Sequence, residues 1–486
     1  MAGFTRDDLR RFIRNCNPDE PLSGEDDARY VRFDEGTPVR GSESRSCIDA
    51  LFAVIDESED GGDSSGAAST CQLFSGFSGS GKTTELNRLR QHLEASDVPT
   101  HPIYVDFEQY VDRYVPISIA DVLRVLAYAL DREATLCEGG DPDRTAGYLD
   151  RFWDYVRNTD VELKKIEFGF YGAKLPFELR DNAPFRQRIA RALADRFQQF
   201  ADDAKQAMVE AVIRIKRAKR VRRVVVLADS LEKLTATREE DREAVERSVE
   251  NLFVQQAHHL RMPCHVVYTF PFWLRFRSAE MGGRFDGEPQ ILPMVKIAHR
   301  DGTASDDGIF RLCELLKKRL DLEAVFGEDI GETLLPLVRA SGGYPRDLLR
   351  MTRNLLRAAT IFPVQRRAVE QVIDRLAEQY NFVVRGPDLP LLAEIHRTHA
   401  LPIGDLGSAA AFARLVERYL VLAYRNGREW YAIHPLVWRG IDERMRALSD
   451  VKAALPEPAS GALPSAVAIA GEDLAKPTDL AGKDTP

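Results

Sequence analysis

Between Gly76 and Thr83 the chain reads Gly-Phe-Ser-Gly-Ser-Gly-Lys-Thr, which fits G-x-x-x-x-G-K-[ST] at every position. Glycines at 76, 79 and 81 let successive backbone N–H groups turn toward one point, and a helix opening at Lys82 adds its unpaired first-turn amides and the positive end of its dipole. Such a point binds phosphate oxygens. Gly76, Ser78, Gly79, Ser80, Gly81 and Thr84 are therefore expected at the phosphates, with Lys82 reaching the β- and γ-phosphates and Thr83 ligating Mg²⁺. The metal's water shell needs a carboxylate at the tip of a neighbouring strand, and Asp229 directly follows the apolar run Val224-Val225-Val226-Leu227. Helix capping is the alternative duty for that Asp, although Ser230 beside it could cap instead. A purine nucleoside triphosphate with Mg²⁺, ATP by preference, is the expected ligand.

The elements needed to hold these residues are legible as alternating β and α. Cys71 to Ser75 reads as a strand and Lys82 to Leu93 as a helix; His101 to Phe107 reads as a second strand, followed by helical spacing from Ile117 to Arg132. Val224 to Leu227 and Cys264 to Thr269 have the apolar continuity of strands buried on both faces of a parallel sheet, with a helix over Arg242 to Leu260 between them. Ile291 to Ile297 is the expected last strand. Residues 137–220 read as an insertion, with a β-hairpin over Val161 to Leu179 and a polar helical stretch from Phe185 to Arg220. Residues 1–70 form an irregular N-terminal segment around one short helix at Cys47 to Asp56, and 71–300 form the α/β core. Residues 301–382 are expected to form three or four helices. In 383–450, helices and two strands flank Asn426-Gly427, a signal for a type I′ turn. The Pro-, Ala- and Gly-rich 451–486 reads as a disordered tail.

Hydrophobic residues at 44% and charged residues at 29% match globular usage, and no apolar stretch approaches the length that spans a bilayer, so a cytoplasmic, non-membrane protein is expected. Six cysteines without a C-x-x-C pair argue against a zinc ribbon or disulfide framework and read as buried small hydrophobes. The net charge of −9 offers nucleic acid no overall attraction. The basic run Arg214 to Arg223 reads as a solvated helix end; His258, His259, His265 and Cys264 suit no familiar metal spacing; Phe270, Phe272, Trp273 and Phe276 read as packing.

The order of these motifs resembles the AAA+ superfamily, in particular the branch joining origin-recognition initiator ATPases to the STAND signal-transducing NTPases, over roughly Gly36 to Trp438. The block Gly79 to Leu89 is similar to the P-loop and first helix of bacterial STAND-like ATPases. The resemblance implies an AAA+ P-loop core, a helical lid and a C-terminal winged helix. It implies that Arg40 and Gly41, in Val39-Arg40-Gly41, contact the adenine. It also implies that Glu232, in Asp229-Ser230-Leu231-Glu232, polarises the attacking water; a surface acid paired with Lys233 is the competing reading. Thr269 matches the polar sensor near the γ-phosphate, and Arg346, in Gly342-Gly343-Tyr344-Pro345-Arg346-Asp347, matches the lid arginine that reads that phosphate. Rings of this superfamily often complete the site with a neighbour's arginine, for which Arg319, Arg275 and Arg277 are candidates.

Two functions follow as expectations. The first is a nucleotide-controlled, oligomerising regulatory ATPase, in signalling or antiviral defence, working with a separate effector, since the chain carries no nuclease, protease or NAD-cleaving constellation. The second is an initiator-like DNA-binding ATPase. Against it, Pro387 to Ala447 holds eight Arg and no Lys against seven acids, without the positive surplus that DNA readers need. A small-molecule P-loop kinase is a third and weaker reading.

Overall fold

The computed structural model describes residues 4–35, 39–41, 46–58, 69–142, 147–159, 180, 189, 193, 196–236, 238–402 and 406–446. The anticipated hairpin at 161–179 and the tail at 451–486 lie outside these residues, as does the start of the helical stretch at 185.

Five short strands build one parallel sheet: β1 (Cys71–Gly76), β2 (Thr100–Asp106), β3 (Arg223–Asp229), β4 (His265–Thr269) and β5 (Gln290–Leu292), in the order β2-β3-β4-β1-β5. β1, β3 and β4 are buried along their whole length, which their uninterrupted apolar character anticipates for strands covered on both faces. β2 is an edge strand, less completely buried, and alternates in burial only from Ile103 to Asp106. Helix α1 (Arg6–Asn15) precedes α2 (Cys47–Asp56); α3 (Lys82–Glu94) joins β1 to β2, and α4 (Ile119–Cys137) follows β2. After α5 (Tyr148–Thr159), the long α6 (Phe197–Lys219) packs along α4 and delivers the chain to β3. All crossovers carry the chain back to the same end of the sheet, so the loops after β1, β3 and β4 gather at its carboxyl edge, where α/β sheets bind ligands.

Several expectations are corrected by backbone chemistry. α1 was read as irregular, yet Thr5 and Asp8 form a reciprocal capping box that starts it. The helix between β3 and β4 is α7 (Glu239–Glu250), which ends in a wide turn at Asn251–Gln255 and a 3₁₀ turn at Ala257–Leu260. β5 stops at Leu292 because Pro293 cannot donate to a ladder. The next amides leave the sheet: Met294 donates to Ala423 (3.0 Å), Val295 to Gly343 (3.1 Å) and Lys296 to Val39 (2.9 Å).

Beyond the sheet come five helices rather than three or four: α8 (Asp306–Lys317), α9 (Leu322–Phe326), α10 (Leu334–Ala340), α11 (Pro345–Ala358) and α12 (Arg366–Val383). Two of them, α9 and α10, are one or two turns long, too brief to show a 3.6-residue repeat. They share a second core with α1, through Phe12, Leu316, Val325, Leu337 and Leu355. The C-terminal part holds α13 (Leu389–Thr398), α14 (Leu406–Glu417), the antiparallel pair β6 (Val421–Asn426) and β7 (Arg428–Ile433), and α15 (Pro435–Arg446). The hairpin forms where Asn426-Gly427 places it, but its turn is not the two-residue type I′. Arg425 faces Glu429 and Asn426 faces Arg428, leaving Gly427 alone at the apex with φ of +79°. The aromatic cluster after β4 is the seam to this unit: Phe276 lies 5.0 Å from Phe412 and 6.1 Å from Tyr431, ring centre to ring centre.

Among the described residues no helix is long and apolar enough to cross a membrane. Four of the six cysteines are buried and two, Cys47 and Cys137, are partly exposed. Burial pushes the Cys71 and Cys264 thiols up to about 12.

Candidate functional site

The glycine-rich loop leaves β1 and enters α3 through Gly79 (φ +81°) and Gly81 (φ +100°), backbone conformations that side-chain-bearing residues rarely adopt. A Cβ on Gly79 would lie 2.5 Å from Arg346 Cδ and 2.9 Å from Tyr344 Oη, so a second element needs that space as well. No side chain caps the N-terminus of α3, which leaves its first amides for an anion. Lys82 is only 4% exposed. Its Nζ donates to the carbonyls of Gly76 (3.1 Å) and Phe77 (3.0 Å) and sits 3.1 Å from Glu232 Oε1.

Asp229 closes the other side. Thr83 Oγ1 donates to its Oδ2 at 2.7 Å, Tyr104 Oη donates to the same oxygen at 2.7 Å, and the Ser230 amide donates to Oδ1 at 2.8 Å. The carboxylate is fully buried, and that burial, with the Glu232 charge beside it, raises its pKa above the ordinary range. Ser230 takes a left-handed conformation (φ +73°), a strained choice for this residue type, and the following 3₁₀ turn brings Glu232 round to Lys82. Burial pushes the Glu232 carboxyl up, but the Lys82 charge and the Thr269 hydroxyl outweigh it and hold the group below its usual value. Its Oε2 is buried with no hydrogen-bond partner among the described residues. Lys233, the competing partner for Glu232, binds Glu108 instead at 2.6 Å. Thr269, fully buried at the end of β4, accepts the Leu231 amide at 3.2 Å and so fixes this turn.

The third wall comes from α11 and the hairpin unit. Arg346 Nη1 donates to Ser78 Oγ at 3.2 Å and Nη2 to Asp19 at 2.6 Å, while Tyr344 Oη donates to the Ser78 carbonyl. Tyr419, itself left-handed (φ +59°), stacks on Tyr344 at 5.9 Å, lies 6.1 Å from Phe77 and turns its hydroxyl to Ser78. Ser80 Oγ is buried with no partner among the described residues. Thr84 Oγ1 accepts the Leu22 amide at 3.1 Å and anchors the N-terminal segment on α3.

Phosphate loop, Asp229, Glu232, Thr269 and Arg346 are thus assembled in one place by residues as far apart as 76 and 346. Arg40 is set differently. Its guanidinium is buried over the Phe33 ring at 4.8 Å, in the field of Glu85, and makes no hydrogen bond to the phosphate loop among the described residues. Gly41 beside it has φ of +86° and open space where a Cβ would be. The structure also adds residues that sequence reading missed. Tyr104 and Tyr419 carry no motif, and Tyr344 stands inside the Gly342 to Asp347 block without a role of its own there; only the position of Tyr104 near the end of β2, level with Leu227 on β3, hints at its reach to the carboxyl edge.

The donor set fits a Mg²⁺-bound triphosphate: an uncapped helix start, a buried lysine, an orphaned serine hydroxyl, and a threonine hydroxyl on a buried carboxylate. Of the arginines considered for a neighbour's site, Arg319 is buried in its own chain, its Nη1 donating to the carbonyls of Arg29 and Leu315 at 2.8 Å each. It is a structural residue. Arg275 is paired with Glu429 of β7 at 2.8 Å, joining the segment after β4 to the hairpin, whereas Arg277 is paired with Glu246 on α7. The basic run ends α6, where Lys216, Arg217 and Lys219 fill the last turn as the helix dipole favours. His265 bonds Thr70 at 3.0 Å, and the histidines at 258 and 259 join no cluster of three convergent ligands among the described residues. No family model matches this chain. No curated protein matches it either.

Proposed function

We propose that the protein is an ATP-binding, Mg²⁺-dependent regulatory switch of the AAA+/STAND kind, with α8 to α12 as its lid and α13 to α15 with the hairpin as a winged helix. One observation carries the reading: the residues that would meet a triphosphate are covered by Tyr344, Arg346 and Tyr419, which belong to the elements that would move. Lys82 is 4% exposed and fully engaged by two carbonyls and Glu232. A triphosphate at this loop therefore competes with those contacts, and its binding energy goes into rearranging lid and hairpin, which is the differential interaction a population shift requires.

Magnesium, when bound, would offset phosphate charge at Thr83 and Asp229. The chain's own residues do the rest. Lys82 would exchange its carbonyl and Glu232 partners for phosphate oxygens, and Glu232, released from Lys82, would be placed to take a proton from water. Thr269 holds the turn carrying Glu232 in register. Arg346 exchanges Asp19 for the terminal phosphate, which couples the lid to the state of the nucleotide. Hydrolysis then resets the switch, and the output is self-association that engages a separate effector.

Light scattering on the full chain tests this. Mg²⁺-ATP should raise the molar mass in wild type and leave Lys82→Ala unchanged. An identical mass with and without nucleotide would sink the switch, and tight, salt-sensitive duplex DNA binding would favour the initiator-like alternative.

A further inference from the structure

At the opposite end of β2 from the nucleotide site, three side chains of different chemistry converge. His101 Nε2 lies 2.9 Å from Glu133 Oε1 and 3.8 Å from Cys137 Sγ, and that sulfur is 3.5 Å from the same Glu133 oxygen. Glu133 and Cys137 are one helical turn apart on α4, hence on one face, and His101 is the second residue of the sheet's edge strand. An ion bound tetrahedrally at ordinary Zn–N, Zn–O and Zn–S lengths sets its donors roughly 3.3–3.6 Å apart. The observed spacings bracket that interval, so the three atoms need shift by only roughly 0.4 Å to share one ion.

We propose that His101, Glu133 and Cys137 form a binding site for a divalent transition metal, Zn²⁺ foremost, with the fourth position taken by water. A nitrogen, an oxygen and a sulfur together select a borderline ion and exclude Mg²⁺, which takes oxygen ligands. Access is open, because the His101 and Glu133 side chains are 22% and 27% exposed. Charge also balances: a thiolate and a carboxylate neutralise a dication, and the imidazole binds uncharged. The proton count is simple. The Cys137 thiol, now donating to Glu133, loses its proton to solvent, and the imidazole proton moves from Nε2 to Nδ1. Binding of the metal by the thiol sulfur therefore releases one proton.

The site is separate from the nucleotide chemistry. His101 is five residues before Asp106, roughly 17 Å along an extended strand. Its effect is to clip the edge strand to α4, and so to stabilise the sheet in proportion to metal occupancy.

The test uses the chelator-stripped full chain without nucleotide, titrated with Co²⁺ alone. One equivalent should produce a near-ultraviolet thiolate-to-cobalt band together with the visible absorption of tetrahedral cobalt, and added Zn²⁺ should bleach both. Cobalt at Thr83 and Asp229 would give no thiolate band. Cys137→Ser should abolish the band, and His101→Ala should weaken affinity about tenfold or more. If Cys137→Ser does not fold, Glu133→Gln serves, with the band kept at saturation but affinity reduced by a similar factor. No thiolate band in folded wild type, or a band surviving in Cys137→Ser, overturns the proposal.

Discussion

Replacing Glu232 by Gln should destabilise the nucleotide-free protein, leave the loaded protein as stable as wild type, and remove turnover. Among the described residues Lys82 Nζ has three partners, and the only one of these carrying charge is Glu232 at 3.1 Å, both side chains being at most 4% exposed. Removing one member of a buried ion pair typically costs about 3–5 kcal/mol, but the Gln carbonyl still accepts a hydrogen bond and the two loop carbonyls remain, so about 1–3 kcal/mol is expected. A loss of about 2 kcal/mol lowers Tm by about 4–8 °C in a domain of this size. A bound triphosphate supplies Lys82 with new counter-charge, so the deficit should close at saturating Mg²⁺-ATP. By linkage the variant then binds nucleotide more tightly, roughly tenfold for about 1.4 kcal/mol. Turnover should fall by about 10²–10⁴ if Glu232 takes the proton from water. Differential scanning fluorimetry with and without Mg²⁺-ATP, isothermal titration and phosphate release measure the three quantities. An equal Tm deficit in both states would refute the exchange of partners at Lys82, and undiminished phosphate release would remove Glu232 as the base.

Two further outcomes are expected. Gly79→Ala puts a methyl 2.5 Å from Arg346 Cδ at a φ of +81°, so the loop or the lid arginine must give way; stability should drop by about 1–3 kcal/mol and nucleotide retention on a filter assay should weaken, with wild-type retention counting against the described loop. Arg319→Ala strips the carbonyls of Arg29 and Leu315 of their shared donor, costing about 1–3 kcal/mol in thermal unfolding; a folded, fully stable variant defective only in assembled ATPase would restore it as a residue acting on a neighbour.

Much of the sheet was readable because β1, β3 and β4 are buried on both faces and must be continuously apolar. Asp229 was readable for the same reason, as an acid ending such a run. The partner of Glu232 was not, because it depends on a left-handed turn at Ser230 that no residue-type preference announces. The setting of Arg319 is not legible, because one of the two carbonyls that draw its side chain inside, that of Arg29, is 290 residues away in sequence. The tyrosines over the loop come from β2, α11 and the approach to β6, and only tertiary structure brings them together. The short α9 and α10 are not legible in the sequence because one or two turns leave no measurable period. At His101, the i, i+4 spacing of Glu133 and Cys137 was visible, but the histidine that completes the cluster is 32 residues upstream.

The stretch from Met294 to Lys296 has a mechanical consequence. Three consecutive amides are latched to three separate parts of the chain, at Ala423, Gly343 and Val39. Each latch is main chain to main chain, and leaving any of these amides without an acceptor in the interior costs about 1–3 kcal/mol. Because Met294, Val295 and Lys296 are consecutive, a shift of this one segment strains all three latches at once and ties the hairpin, the approach to α11 and the N-terminal segment to the exit of β5.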